Sequence, residues 1–304
     1  MTNLRPDTIG NPFHIRKNLL NIKKNNLFGV IYMMIAMFVF SLVDAIAKFL
    51  TNEFPVLQIA SLRWTVMFCG VILLLFIKGP QLLKTKQLKF QIARGATAGL
   101  SALFFILGLS YVPLADAVAM TFIAPILVTI MAAIFLGEKV AISSGIAVVA
   151  GFIGVLLIIK PGFSGFQPWL ILPFIAAVLF AFRQIISRFL GAKDSLETTT
   201  CYTAFVAFFI SGAMLPFVWQ PITSLMLLTI MTIMSSLAAV GELLVIKSLN
   251  IAEAATVTPV HYTLIIWSTM YGFILFGSVP DYLTCLGTSI IIIAGFFILK
   301  KTTN

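Results

Sequence analysis

The sequence predicts an all-α polytopic membrane protein, with ten transmembrane helices arranged as two inverted five-helix repeats. Three observations carry that prediction. Apolar residues make up 60% of the 304-residue chain and charged residues only 10%. Soluble domains hold roughly 45–50% and about 25%, so much of this surface must face lipid. The apolar residues also fall into ten long runs, and about 20 such residues cross a hydrocarbon core. Finally, AMFVFSLVDAIAKFL, Ala36 to Leu50, recurs 140 residues later as AAVLFAFRQIISRFL, Ala176 to Leu190, without a gap. Ala36/Ala176, Phe40/Phe180, Ile46/Ile186, Phe49/Phe189 and Leu50/Leu190 are identical, and Lys48 matches Arg188. A charged membrane helix repeated half a chain later points to two copies of one bundle.

Residues 1–26 form a polar tail with Arg5, Arg16, Lys17, Lys23 and Lys24 against a single acid, Asp7. The apolar run Leu27–Leu50 that follows is too long for the h-region of a signal peptide and lacks a small-residue cleavage pattern, so it reads as the first span. Nine more are expected near Val56–Ile77, Ile92–Tyr111, Leu114–Leu136, Val140–Ile159, Trp169–Leu190, Thr198–Trp219, Ser224–Ile246, Ala252–Phe276 and Tyr282–Leu299. A Gly/Pro-rich connection, KPGFSGFQP, falls at the midpoint, with five spans on each side of it. The expected organisation is a cytoplasmic tail (1–26), a first repeat (27–160), a linker (161–168) and a second repeat (169–300).

Further matches extend the repeat. Leu114-Ala115-Asp116-Ala117 matches Ile251-Ala252-Glu253-Ala254, Phe135-Leu136-Gly137-Glu138 resembles Leu275-Phe276-Gly277-Ser278, and Ala150-Gly151-Phe152 matches Ala294-Gly295-Phe296. The basic residues of the tail, Lys78–Lys89, Lys139, Lys193 and Lys300-Lys301 fall on one side of a ten-span topology, while Glu53, Asp116, Asp281 and Lys160 fall on the other. Lys/Arg-rich loops are cytoplasmic, so both termini are expected there. Five spans per half then invert the halves. The net charge of +10 reports this topology and contact with anionic lipid, with no nucleic-acid partner expected. Cys69, Cys201 and Cys285 lie in apolar runs without pairing or metal spacing, and read as small core residues. No metal or cofactor is expected.

Charge inside hydrocarbon costs about 2.5–3.5 kcal/mol at a helix centre, so it persists where it is paired, wet or used. Asp44 and Lys48 stand one turn apart and either neutralise each other or act separately, with Lys48 snorkelling to the headgroups. Arg94 opens its predicted span and reads as an interfacial anchor. Arg63 and Arg183 lie deeper, and Glu242 is flanked by Ala238, Ala239 and Gly241, which permit close helix approach. An Arg–Glu tie between helices and a role in a polar cavity both fit. His261 precedes Tyr262 in a span that also holds Pro259, Trp267 and Tyr271, and is either a hydrogen-bonded core residue or part of a solute path. Asp44, Glu242 and His261 are the candidate intramembrane proton carriers. Pro125 and Pro259 predict kinks. Gly162-Phe163-Ser164-Gly165 resembles the nucleophile motif of rhomboid proteases, but it sits in the midpoint loop between prolines, where catalysis lacks its buried helix start. No enzymatic activity is expected.

The segment from Pro113-Leu114-Ala115-Asp116-Ala117 through Pro125 to Gly137-Glu138, the Ala150-Gly151-Phe152-Ile153-Gly154 span, and Ala254-Ala255 through Pro259, Tyr262 and Gly277 to Pro280-Asp281 carry a resemblance. From Leu27 to Lys301 the chain resembles the drug/metabolite transporter superfamily, of the EamA-domain type, near the branch of riboflavin and S-adenosylmethionine carriers. Ser278 departs from the Gly-Glu that usually ends such halves. The resemblance implies a central cavity between inverted repeats and alternating access. The expected function is transport of a small polar organic metabolite across a bacterial inner membrane. The chain holds no P-loop motif, so a gradient or exchange supplies the energy. A non-transporting membrane scaffold or sensor is the other reading. The solute contacts expected are Asp44, Arg63, Arg183, Glu242, His261, Tyr262 and Trp267, and the mixed charges favour a zwitterionic or planar solute.

Overall fold

The computed structural model describes residues 12–136, 142–159, 167–191, 194–213, 215–251, 260–261 and 263–302. The described residues are helical, with no strand among them. The helices are α1 (Pro12–Leu50), α2 (Val56–Lys78), α3 (Leu88–Leu109), α4 (Leu114–Thr121), α5 (Ala124–Leu136), α6 (Ile142–Ile159), α7 (Ile171–Gly191), α8 (Leu196–Gly212), α9 (Leu215–Val218), α10 (Leu225–Ile251), α11 (Thr263–Phe276) and α12 (Tyr282–Thr302). Among the described residues, five stretches are long and apolar enough to cross a membrane: Leu27–Leu50, Val56–Lys78, Leu88–Leu109, Pro168–Ser187 and Leu225–Ser248. Shorter apolar helices accompany them. Helices dominate because a backbone in lipid must satisfy its own hydrogen bonds.

Several boundaries depart from the sequence expectation. The fourth predicted span is broken into α4 and α5 around Phe122 and Ile123. Pro125, the second residue of α5, is the cause. It has no N–H to return to the Thr121 carbonyl, and proline is accommodated at a helix start. The third helix begins at Leu88, a turn before Ile92, which carries Arg94 into the bundle. The eighth predicted span continues to Ile251, because the polar stretch after Ile246 finds partners on α1. Ser248 Oγ donates to Gly29 O at 2.7 Å, and Lys247 Nζ lies 4.7 Å from the Tyr32 ring centre. Pro259, Tyr262 and the Gly162–Gly165 motif lie outside the described residues.

The interior is built from α1 packed on α10, α3 on α7, α2 on both α8 and α10, α3 on α8, and α6 on α12. Small residues set these distances. A Cβ on Gly154 would stand 2.7 Å from Gly287 O, and one on Gly287 would stand 2.5 Å from Gly154 O. The backbones of α6 and α12 therefore meet directly. A Cβ on Gly99 would lie 3.0 Å from Ala207 Cα, so α3 and α8 also touch through their backbones. The ring of Phe40 fills the space beside Gly241, which sets α1 against α10 one residue from Glu242.

Candidate functional site

Among the described residues, five helices bring charge to one centre, apart from the buried Asp116 of α4, which accepts from Gln167 Nε2 at 3.2 Å. Asp44 comes from α1, Arg63 from α2, Arg94 from α3, Arg183 from α7 and Glu242 from α10. Asp44, Arg94, Arg183 and Glu242 are buried. Arg63 Nη1 donates to Asp44 Oδ1 at 3.3 Å, and its guanidinium lies 5.6 Å from the ring centre of Phe40. Arg183 Nη1 donates to both Glu242 oxygens, at 3.2 and 3.1 Å. Its guanidinium lies over Phe180 at 4.8 Å, and His261 approaches the same ring edge-on at 5.8 Å.

Arg94 overturns its reading as an interfacial anchor. It is 3% exposed. Its Nη2 stands 3.5 Å from Glu242 Oε1, its Nε donates to Ser187 Oγ at 2.8 Å, and its Nη1 donates to Thr203 Oγ1. Glu242 is thus held from both sides, by Arg94 and by Arg183. The hydroxyls of Ser187 and Thr203 hold the Arg94 fork in place, because a buried guanidinium needs acceptors for donors that no carboxylate reaches. With α3 starting at Leu88, Arg94 lies in the second turn of the helix and not at its mouth.

Lys48 also differs from both expectations. It neither neutralises Asp44 nor reaches for the headgroups. Its Nζ donates to Leu109 O at 2.9 Å and to Val112 O at 2.8 Å, capping the carbonyl end of α3, where a cation is favoured. Asp44 is left to Arg63. Trp267 stands apart from the charges. It packs edge-on against Phe38 at 5.1 Å, with Tyr271 6.2 Å from the same ring, and Phe38 is exposed. The structure therefore joins Arg183 to Glu242 and, through Phe180, to His261. It joins Asp44 to Arg63, and it sets Trp267 on a different face.

Hydroxyl groups complete the neighbourhood. Ser235 on α10 accepts from the Val66 N–H at 3.0 Å and donates to Arg63 O at 3.4 Å, fixing α2 against α10 at the depth of Arg63. Such an array can hold a dipolar solute through guanidinium forks and carboxylates with an aromatic floor. No group of three or more acids, His or Cys suited to a metal occurs among the described residues.

Residues 27–160 match the EamA-like transporter family. The chain is 26% identical to an S-adenosylmethionine uptake transporter of Rickettsia prowazekii, over 91% of this chain and 94% of that one. It is 25% identical to a riboflavin transporter of Rhizobium johnstonii, over 90% and 91%, and 23% identical to a pseudopaline exporter of Pseudomonas aeruginosa, over 88% and 94%. One solved crystal structure superposes with a TM-score of 0.63 at 14% identity, covering 88% of this chain and 95% of that one, a likeness of fold.

Proposed function

We propose that the chain is a secondary carrier of the drug/metabolite transporter superfamily, near its S-adenosylmethionine and riboflavin carriers, and that it binds its solute at the buried charge centre; the EamA-like match over residues 27–160 and the transporter relatives support this reading. It is a multi-pass membrane transporter of small metabolites and not an enzyme. The observation that carries the site is the convergence of Arg94, Arg183 and Glu242 from α3, α7 and α10. Polar groups at this depth that tie helices from both halves of the chain suit a centre that both halves must grip.

The carrier works by alternating access between two inverted five-helix halves, in a bacterial inner membrane with both termini cytoplasmic. Helix pairing supports the two-fold plan. Matching α1 with α7, α2 with α8, α3 with α10, α4 and α5 with α11, and α6 with α12 exchanges the α1–α10 contact for α7–α3. The same operation exchanges α2–α10 for α8–α3 and α1–α11 for α7–α5. The α2–α8 and α6–α12 contacts map onto themselves.

Side chains support the topology as well. Ser248 with Gly29, Lys78 with Glu197, and Thr85 with Asp194 join residues assigned to the cytoplasmic side. Gln58 with Gln220, Gln167 with Asp116, and Tyr111 with Trp169 join residues assigned to the other side. The solute is a polar organic molecule, zwitterionic or planar, with Arg183 and Tyr262 among its contacts.

Uptake into proteoliposomes, scanned over S-adenosylmethionine, riboflavin, amino acids and nucleosides, tests this reading. At least one should accumulate, and Arg183→Ala should abolish its uptake without lowering the amount of protein in the bilayer. Accumulation of none would leave the scaffold or sensor reading in its place. Reporter fusions after Asn52 and after Lys86 should face outside and inside respectively, and a common side for both would end the inverted-repeat account.

A further inference from the structure

We infer that the buried centre recognises a carboxylate on the solute. The inference rests on the carrier reading above and deepens it by naming the group that is gripped. The charges that meet among the described residues are three guanidiniums, Arg63, Arg94 and Arg183, and two carboxylates, Asp44 and Glu242. The centre therefore holds one positive charge in excess. Asp44 answers Arg63, so Glu242 has to serve Arg94 and Arg183 together.

The two arginines are not equally satisfied. Arg94 spends Nε and Nη1 on the hydroxyls of Ser187 and Thr203 and turns Nη2 to Glu242. Arg183 gives Nη1 alone to the carboxylate. Its Nε is buried and has no acceptor among the described residues, on a side chain whose residue is 7% exposed. A guanidinium at membrane depth with an idle donor and no full counter-charge is costly.

A carboxylate removes both deficits. It supplies the missing negative charge, and its oxygen accepts from the idle Nε donor of Arg183 in the charge-assisted geometry that a guanidinium favours. The remaining intramembrane cation of α1, Lys48, is committed to two backbone carbonyls and does not compete. Phe180, which lies under Arg183 and beside His261, holds the plane of the guanidinium and gives an apolar wall for the rest of the solute.

The experiment compares paired probes in proteoliposomes of the full-length protein. S-adenosylmethionine is set against its decarboxylated form, and L-methionine against L-methioninamide, with riboflavin as a solute that carries no carboxylate. The carboxylate member should outcompete its partner by about tenfold or more, as for a charge-assisted hydrogen bond. Arg183→Lys, which keeps the charge opposite Glu242 but removes the fork, should bring the ratio close to one at an unchanged melting temperature. The wild-type ratio tests the carboxylate independently of any variant.

Equal uptake within each pair, or riboflavin as the preferred probe, would overturn the carboxylate and leave the carrier intact. A ratio untouched by Arg183→Lys would likewise overturn the assignment and reduce Arg183 to a tie between helices. Uptake of no probe at all would remove the carrier reading and this inference with it.

Discussion

The two copies of the repeated helix keep one aromatic position and surround it with different charge. In the first half Phe40 lies beneath Arg63, and Asp44 matches that arginine one to one. In the second half Phe180 lies beneath Arg183, whose carboxylate, Glu242, is shared with Arg94. The ring–guanidinium contact needs an aromatic face and a cation, but no particular counter-ion. The shape of the repeat therefore tolerates a change in its charge. One copy of the motif is matched in charge and the other is not, so the two rings that share a place in the sequence repeat lie in unequal electrostatic surroundings.

Neutralising each acid in turn breaks that comparison most severely. Glu242→Gln leaves Arg94 and Arg183 buried without a carboxylate. Loss of one partner from a buried pair costs roughly 3–5 kcal/mol, which should appear as a large fall in the melting temperature of purified protein. Asp44→Asn strands one guanidinium, whose side chain retains 13% exposure, and should cost about 1–3 kcal/mol. Equal falls would mean that the two centres are equivalent.

A substitution where the halves are alike sharpens the comparison. Gly154 and Gly287 approach each other's carbonyls reciprocally, so Gly154→Ala and Gly287→Ala should each push α6 and α12 apart. The two costs should be similar, about 1–3 kcal/mol as for other overpacked contacts. A large difference between the two melting curves would show that the two glycines do not play matching parts in the α6–α12 contact.

The last pair of substitutions lies at the two ends of α2, and the smallest effect is at its exposed end. Lys78 and Glu197 pair in the open, with side chains 48% and 42% exposed, and Glu197→Gln should cost less than about 1 kcal/mol. At the other end Gln58 is fully buried and exchanges two hydrogen bonds with the Gln220 backbone, both 2.9 Å long. Gln58→Leu should cost more, about 1–3 kcal/mol, because it strands a backbone N–H and a carbonyl. The reverse order in denaturation would shift the weight to the exposed end of α2.

The sequence determined the solvent, the helices and the choice of chemical groups. The 60% apolar composition required lipid, the runs of about 20 apolar residues supplied spans, Pro125 broke the fourth, and Asp44, Arg63, Arg183, Glu242 and His261 stood out as costly residues in hydrocarbon. These are properties of each helix alone, fixed by composition and period. Tertiary structure decided the partners. Asp44 takes Arg63, nineteen residues away on α2, and not Lys48 on its own helix, because Lys48 faces the carbonyl end of α3. Arg94 joins Glu242 where Gly99 lets α3 settle on the backbone of α8, which brings Thr203 within reach. Trp267 leaves the centre because its face of α11 meets Phe38. Partners like these depend on the axial register and rotation of helices packed against one another, and those are set by backbone contacts at small residues far along the chain.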